Sequence, residues 1–236
     1  MIAPARALLV AMFAMCASAA GAHERPVVLE LFTSQGCSSC PPADAFLVEL
    51  AEREGIIALA LHVDIWDYLG WQDSFARSAF TKRQHAYAAA FGERMIFTPQ
   101  MIVDGRAHFV GSNRAEIEAA IAEARERPFP VTVTIEAGAD GLSVHVGEAP
   151  GTPPATVSYV IHAAPQEVSI TSGENGGATH LYANPVTKWL RLGGWTGEAM
   201  TWPLPLSEEE GGIAVLVQDA ETMEVLGAAA LSLPLP

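Results

Sequence analysis

The chain changes texture at Pro128-Phe129-Pro130, and that change limits what it can fold into more than any other feature. Before it, extended and helical signals take turns. Residues 27–33 are apolar and β-rich apart from Glu30, the pattern of a buried strand. In residues 43–53, Phe46, Leu47, Leu50 and Ala51 recur at helical spacing, and Gly55 suits the C-terminal cap. Residues 56–63 read as a second buried strand. Residues 73–91 read as a helix with Phe75, Ala79, Phe80, Tyr87 and Phe91 on its inner side, ended by Gly92. Short strands at 100–103 and 107–110 flank Asp104-Gly105, a tight hairpin signal. Asn113 and Glu116 then fit a capping box before a helix whose stripe is Ile117, Ala120, Ile121 and Ala124.

The first crossovers require parallel strands and the Asp-Gly hairpin requires an antiparallel pair, which together are the thioredoxin arrangement. Beyond residue 128, residues 131–135 and 142–146 alternate with period two. Further strand candidates lie at 156–163, 167–170, 188–192, 213–217 and 224–229. Turn signals such as Asp140-Gly141, Gly151, Gly176-Gly177 and Gly193-Gly194 separate most of them, a pattern that predicts an antiparallel sandwich. The expected fold class is therefore an α/β thioredoxin-like domain (residues 23–128) followed by an all-β sandwich domain (129–236).

Residues 1–22 read as a secretory signal peptide. Arg6 supplies a positive start, residues 7–17 are almost unbroken apolar chain, and Ala20-Gly21-Ala22 fits a small-x-small cleavage site. The expectation is a periplasmic or secreted protein with no membrane span in the mature chain. Met15 before Cys16 is too bulky for a lipoprotein cleavage box. Acids outnumber bases 27 to 13, a net charge of −14, and so acidic a surface repels phosphate backbones and excludes nucleic acid as a partner.

With Cys16 in the leader, the mature chain keeps two cysteines, Cys37 and Cys40. An oxidising compartment lets them pair. As a staple the pair is weak, because a loop of a few residues yields only about 2 kcal/mol. Chemistry is the better reason for it. A zinc site wants four ligands and no second Cys pair exists. A Cys at a helix N-terminus meets free N–H groups and the positive end of the helix dipole, and in such motifs its pKa falls to about 3.5–7.5. Cys37, the more exposed by position, is the expected attacking nucleophile and Cys40, one turn inward, the resolving thiol. Pro41 and Pro42 start the regular helix near Pro41, which leaves Cys37 in the preceding loop.

Three further features surround the pair. Glu30 is a carboxylate in an apolar strand. It either exchanges protons with a thiol or, as a strand-end acid, reaches solvent or pairs with an arginine. Thr98-Pro99 precedes a short strand, and a cis bond there would turn the chain toward the dithiol, leaving Thr98 backbone groups for an extended client peptide. Trp66, Tyr68 and Trp71 either wall a substrate groove or fill core. His62 and Asp64 share one pleat face, where a metal role competes with a satisfied strand-end histidine. His85 and His108 read as structural. The segment Ser172-Gly173-Glu174-Asn175-Gly176-Gly177 lacks the ending of a phosphate loop and reads as a hairpin loop.

The run Glu30-Leu31-Phe32-Thr33-Ser34-Gln35-Gly36-Cys37-Ser38-Ser39-Cys40-Pro41-Pro42-Ala43-Asp44 strongly resembles a bacterial family of exported, thioredoxin-like proteins filed as a domain of unknown function. The resemblance continues through His62-Val63-Asp64, residues 66–71, Thr98-Pro99-Gln100-Met101, Gly173-Glu174-Asn175 and residues 192–195. Asn184-Pro185-Val186 departs from the family's usual Asn-Val-Val. The resemblance implies a thioredoxin-like fold and export. Within broader thioredoxin-like enzymes Cys37 matches the attacking cysteine, Cys40 the resolving cysteine and Pro99 the cis-proline, and Glu30 approximately matches the buried acid. The expected function is thiol–disulfide exchange, without a cofactor, on a thiol- or disulfide-bearing protein or small thiol. Two alternatives stand beside it: a periplasmic copper- or metal-handling protein using Cys37, Cys40 and a nearby His, and a non-catalytic binding module.

Overall fold

In the computed structural model, which describes residues 25–138, 141–205 and 211–233, apolar runs and turn residues resolve into three α-helices and thirteen strands. The first half runs β1 (Val27–Thr33), α1 (Pro41–Ala51), β2 (Ile56–His62), a 3-10 turn at Asp67–Leu69, α2 (Ser78–Phe91), β3 (Gln100–Val103), β4 (Ala107–Val110) and α3 (Arg114–Arg125). The second runs β5 (Val133–Gly138), β6 (Gly141–Val146), β7 (Ala155–Ala163), β8 (Gln166–Ser169), β9 (Thr179–Tyr182), β10 (Val186–Trp195), β11 (Met200–Leu204), β12 (Gly211–Asp219) and β13 (Val225–Leu233). The leader at 1–22, with Cys16, lies outside the described residues.

The strands form four sheets: β2-β1-β3-β4, β10-β7-β12-β13, β11-β6-β5 and the ribbon β8-β9. In the first, β1 pairs parallel with β2 and antiparallel with β3. Alternation along β1 sends Leu29 and Leu31 to one face, against Phe46, Leu47 and Leu50 of α1 and Ile117 and Ile121 of α3. Val28 and Phe32 go to the other face, against Phe80 and Tyr87 of α2.

The expected fold class is corrected here. Strand makes up 42% and helix 20%, so the molecule is mostly β with several sheets, and no clear thioredoxin α/β fold defines it. The physical reason is visible in β12. A sandwich strand buries every second residue, whereas the seven residues 212–218 of β12 are all buried. Ala214 and Leu216 pack with Val28, Phe32 and Tyr87 of the first half, while Ile213, Val215 and Val217 pack with Val144, Val146 and Trp195. One sheet thus serves two cores.

Smaller departures have local causes. Helix α2 begins at Ser78 rather than residue 73, because the Asp73 side chain accepts the Phe75 amide and folds 73–77 into a turn. Asn113 takes the N-cap position of α3 without a side-chain capping bond. Strand β11 carries Pro203, which its edge position tolerates. Asn184-Pro185-Val186 extends the first sheet: Pro185 bridges Ala60, the Ala60 amide donates to the Asn184 carbonyl and Asn184 Nδ2 to the Ala58 carbonyl.

Candidate functional site

The end of β1 and the start of α1 hold the two cysteines. Cys37 and Cys40 form a disulfide with Cα atoms 5.4 Å apart, a separation suited to an i,i+3 bridge. Cys40 is the N-cap residue of α1, with Pro41 and Pro42 in the first turn where neither proline costs a hydrogen bond. The Cys40 carbonyl accepts the amides of Ala43 and Asp44. Cys37 sits in the loop before the helix, its amide donating to the Ser34 carbonyl. Cys40 is wholly buried and Cys37 is 4% exposed, so any reagent meets Cys37 first.

Two side chains contact the Cys37 sulfur, and a third acts through one of them. The Thr98 hydroxyl donates to it at 3.2 Å and Ser39 Oγ lies 3.3 Å away. Trp66 Nε1 donates to Thr98 Oγ1 at 2.8 Å, which leaves the hydroxyl proton pointing at sulfur. The Thr98-Pro99 bond is cis. Trp66 is therefore a hydrogen-bonding partner of the site as well as an aromatic face. Tyr68 stands 76% exposed, its ring centroid 6.4 Å from that of Trp66. Trp71 points elsewhere, donating to Gln35 Oε1 at 2.8 Å. On the chain just before Thr98, Met95 (80% exposed), Ile96 and Phe97 border a cleft of about 460 Å³ with His108.

Glu30 lies on the opposite face of β1 from α1, paired with an arginine. Arg83 donates through Nε and a terminal nitrogen to its two oxygens at 2.6 and 2.8 Å, and Tyr87 donates at 2.5 Å. Arg83 also donates to Gln218 of β12 and stacks 3.7 Å over Trp189 of β10.

A second buried polar cluster lies on the α1 face and was not foreseen. Asp44, one helical turn beyond Cys40, is buried and accepts the Thr33 hydroxyl at 2.7 Å. Its other oxygen has no hydrogen-bond partner among the described residues, and neither has Nε2 of buried His62. Burial pushes the Asp44 carboxyl up to about 7 against the opposing pull of His62 and Thr33. His62 Nδ1 contacts Asp73 Oδ2 at 2.7 Å. Burial works to raise the Asp73 carboxyl, but the His62 ring and the amides of Gln35 and Phe75 outweigh it and hold it below its ordinary value. Tyr182 of β9 packs edge-on to His62 at 4.9 Å. The signal in the sequence was Asp44 at i+4 from Cys40, on a helix whose inner face is otherwise apolar. His85 is exposed on α2, and no three of His, Cys, Asp and Glu converge as a metal site among the described residues. No described helix is long and apolar enough to cross a membrane.

Fold and site together define a mostly β protein with a Cys-x-x-Cys disulfide at a strand-to-helix junction. The chain belongs to the family described as Protein of unknown function (DUF1223), whose model matches residues 28–218. A crystal structure of an Agrobacterium tumefaciens protein is 34% identical, with 91% of this chain and 99% of that one covered and a TM-score of 0.78. HBP35 of Porphyromonas gingivalis is 16% identical, with 90% of this chain and 76% of that one covered and a TM-score of 0.59, a likeness of fold alone. No curated protein matches the chain.

Proposed function

We propose that the protein exchanges thiols and disulfides with client proteins or small thiols in an oxidising compartment, the periplasm or the cell exterior, after loss of residues 1–22. One observation carries this reading: a disulfide at the N-terminus of α1, whose more accessible sulfur, Cys37, accepts a hydrogen bond from Thr98. In the reducing direction the Cys37 thiolate attacks one sulfur of a client disulfide. The client S–S bond breaks, and its electron pair leaves with the second client sulfur, which takes up a proton. Cys40 then gives its proton to Asp44 and attacks the Cys37 sulfur, expelling the first client sulfur as thiolate and closing Cys37–Cys40. Two electrons have passed from the dithiol to the client. The oxidising direction runs the same steps backwards.

Asp44 rather than Glu30 takes the proton role in this reading. Glu30 is saturated by Arg83 and Tyr87, whereas Asp44 has a free oxygen one turn from Cys40. A carboxyl near 7 is half ionised at neutral pH and both accepts and returns a proton. Thr98 and the cis Pro99 orient the client, and Trp66 and Tyr68 offer it an aromatic face, with Trp71 acting through Gln35.

The test is a trap. Cys40→Ser, reduced and mixed with a disulfide-bonded client such as insulin, is expected to accumulate a mixed disulfide through Cys37, while Cys37→Ser accumulates none. Failure of the parent protein to reduce or oxidise any thiol client, with no trapped adduct, overturns the proposal.

A further inference from the structure

The loop joining β8 to β9, residues 170–178, belongs to the second half of the chain yet reaches the disulfide. It is pinned at its base by two backbone bonds between Ile170 and the pair Gly177 and Ala178. Its outer side is moulded on the turn after β2. Ser172 Oγ donates to the Gly70 carbonyl at 2.7 Å, and Gly173 lies so close that a Cβ there would meet Trp71 Cβ at 3.0 Å and the Leu69 carbonyl at 3.3 Å. Gly173 also has φ +74, which only glycine adopts readily. From this footing Asn175 extends its amide to the cysteine loop. Nδ2 donates to the Gln35 carbonyl at 2.9 Å and to the Cys37 carbonyl at 3.0 Å. Both protons of one amide group are thus spent on the backbone that carries the attacking sulfur.

We propose that Asn175 is a positioning residue for Cys37: it holds the Gln35 and Cys37 carbonyls toward the β8–β9 loop and so keeps their negative ends away from the sulfur. This deepens the exchange reading and rests on it. The Cys37 carbonyl also accepts the Cys40 amide at 3.2 Å, so Asn175 gives it a second hydrogen bond. A thiolate is disfavoured beside carbonyl dipoles aimed at it, and less so where those carbonyls are engaged elsewhere. The hydrogen bond from Thr98 and the positive end of the α1 dipole then act on the sulfur without that opposition. The titratable groups on the surrounding elements are Asp44 on α1, His62 at the end of β2, Asp67 in the turn after it, Asp73 before α2 and Glu174 on the loop itself. Asn175→Ala removes none of them and adds no charge among them. The arrangement makes the site bipartite, since the second half of the chain completes a centre whose cysteines both lie in the first.

Asn175→Asp tests this with little change of shape. The carboxylate cannot donate, and it sets a negative charge against two carbonyl oxygens. In the reduced protein the pH profile of Cys37 alkylation by iodoacetamide is expected to move up by about one unit, a tenfold loss of rate on the rising limb of the profile. The glutathione equilibrium of the dithiol should shift with it. Asn175→Ala, which removes the donors without adding charge, should give a smaller shift in the same direction and serves if Asn175→Asp does not fold. Gly173→Ala, which lifts the loop off Trp71, should reproduce the shift with Asn175 intact. A profile for Asn175→Ala or Asn175→Asp that superimposes on the parent's overturns the proposal. The alkylation profile needs no client. Lack of exchange by the parent protein therefore counts against the exchange reading alone, and an unshifted profile counts against Asn175 alone.

Discussion

Strand β1 has a buried polar cluster on each face, and the two differ in how fully their atoms are matched. On the α2 face, Glu30 receives Arg83 and Tyr87, Arg83 also reaches Gln218, and Gln218 Nε2 returns to Tyr87 and to the Met223 carbonyl. Glu30 and Arg83 carry opposite charges, and none of the buried side-chain polar atoms there lacks a hydrogen-bond partner among the described residues. On the α1 face, Asp44 and His62 each keep a buried polar atom without a partner among the described residues. A closed network fixes one geometry and resists any change of proton count. On the open side burial pushes the Asp44 carboxyl up to about 7, so that this group takes up and gives off a proton near neutral pH. The first fastens β1, α2, β10 and β12 together, and the second begins one helical turn beyond Cys40.

The largest test of this contrast is Arg83→Met. Removing one partner of a buried pair leaves Glu30 with the Tyr87 hydroxyl but no counter-charge, at a cost of about 3–5 kcal/mol. Urea unfolding should show that loss, while the pH profile of Cys37 alkylation in the folded variant stays at the parent's. A parallel shift of that profile would mean that the two clusters are one.

Asp44→Asn probes the open cluster and should act with the opposite sign. Asp44 has its pKa raised in the folded state, so between about pH 4 and pH 7 the folded chain holds a proton that the unfolded chain has released. Stability from this group is therefore complete at pH values below the ordinary carboxylate range, falls as pH rises toward 7, and is flat beyond. The Asn variant should lose that slope and gain on the order of 1–2 kcal/mol at pH 7.5, net of its own unpartnered amide. Its exchange rate should nevertheless drop, because Cys40 has lost the group that takes its proton. Paired urea melts at pH 4.5 and 7.5 read the slope directly.

These differences set the limit of what the residues alone disclose. The strands and helices of the first half are legible because apolar spacing fixes them locally, and β3 and β4 fall within the residues expected for them. The position of Cys40 at the start of α1 follows from the two prolines that come next. The two faces of β12 are not legible, since a run of consecutive apolar residues does not say which layers cover it. Glu30 is conspicuous in sequence because its neighbours are apolar, whereas its partner Arg83 is 53 positions away. Asp44 is inconspicuous because an acid in the first turn of a helix is ordinary. Only the packing of Thr33 and His62 beneath α1 makes it unusual. Asn175 lies 138 positions from Cys37, a distance that no local pattern spans.

Thr98→Val comes next in size. It keeps the shape of the side chain and the backbone and removes the hydroxyl that donates to the sulfur at 3.2 Å. A hydrogen bond to a charged acceptor contributes about 1.5–3 kcal/mol, and part of it returns through water. The Cys37 alkylation midpoint should therefore rise by about half a unit to one unit, with stability nearly unchanged. Trp66→Phe, which frees the Thr98 hydroxyl to rotate, should give about half that rise.

The smallest effect separates surface from site. Tyr68 is mostly exposed, with the Trp66 ring beside it, so Tyr68→Ala should change stability by no more than about 0.5 kcal/mol. Its effect should fall on client capture. An exposed aromatic ring adds apolar contact to an arriving peptide without touching the sulfur, which raises KM for a protein client and leaves kcat and the rate with a small thiol unchanged. An equal loss with glutathione and with a protein client would mean that Tyr68 acts through Trp66 and Thr98, as part of the site on the α1 face. A loss confined to the protein client makes residues 66–68 the ledge on which the client lies.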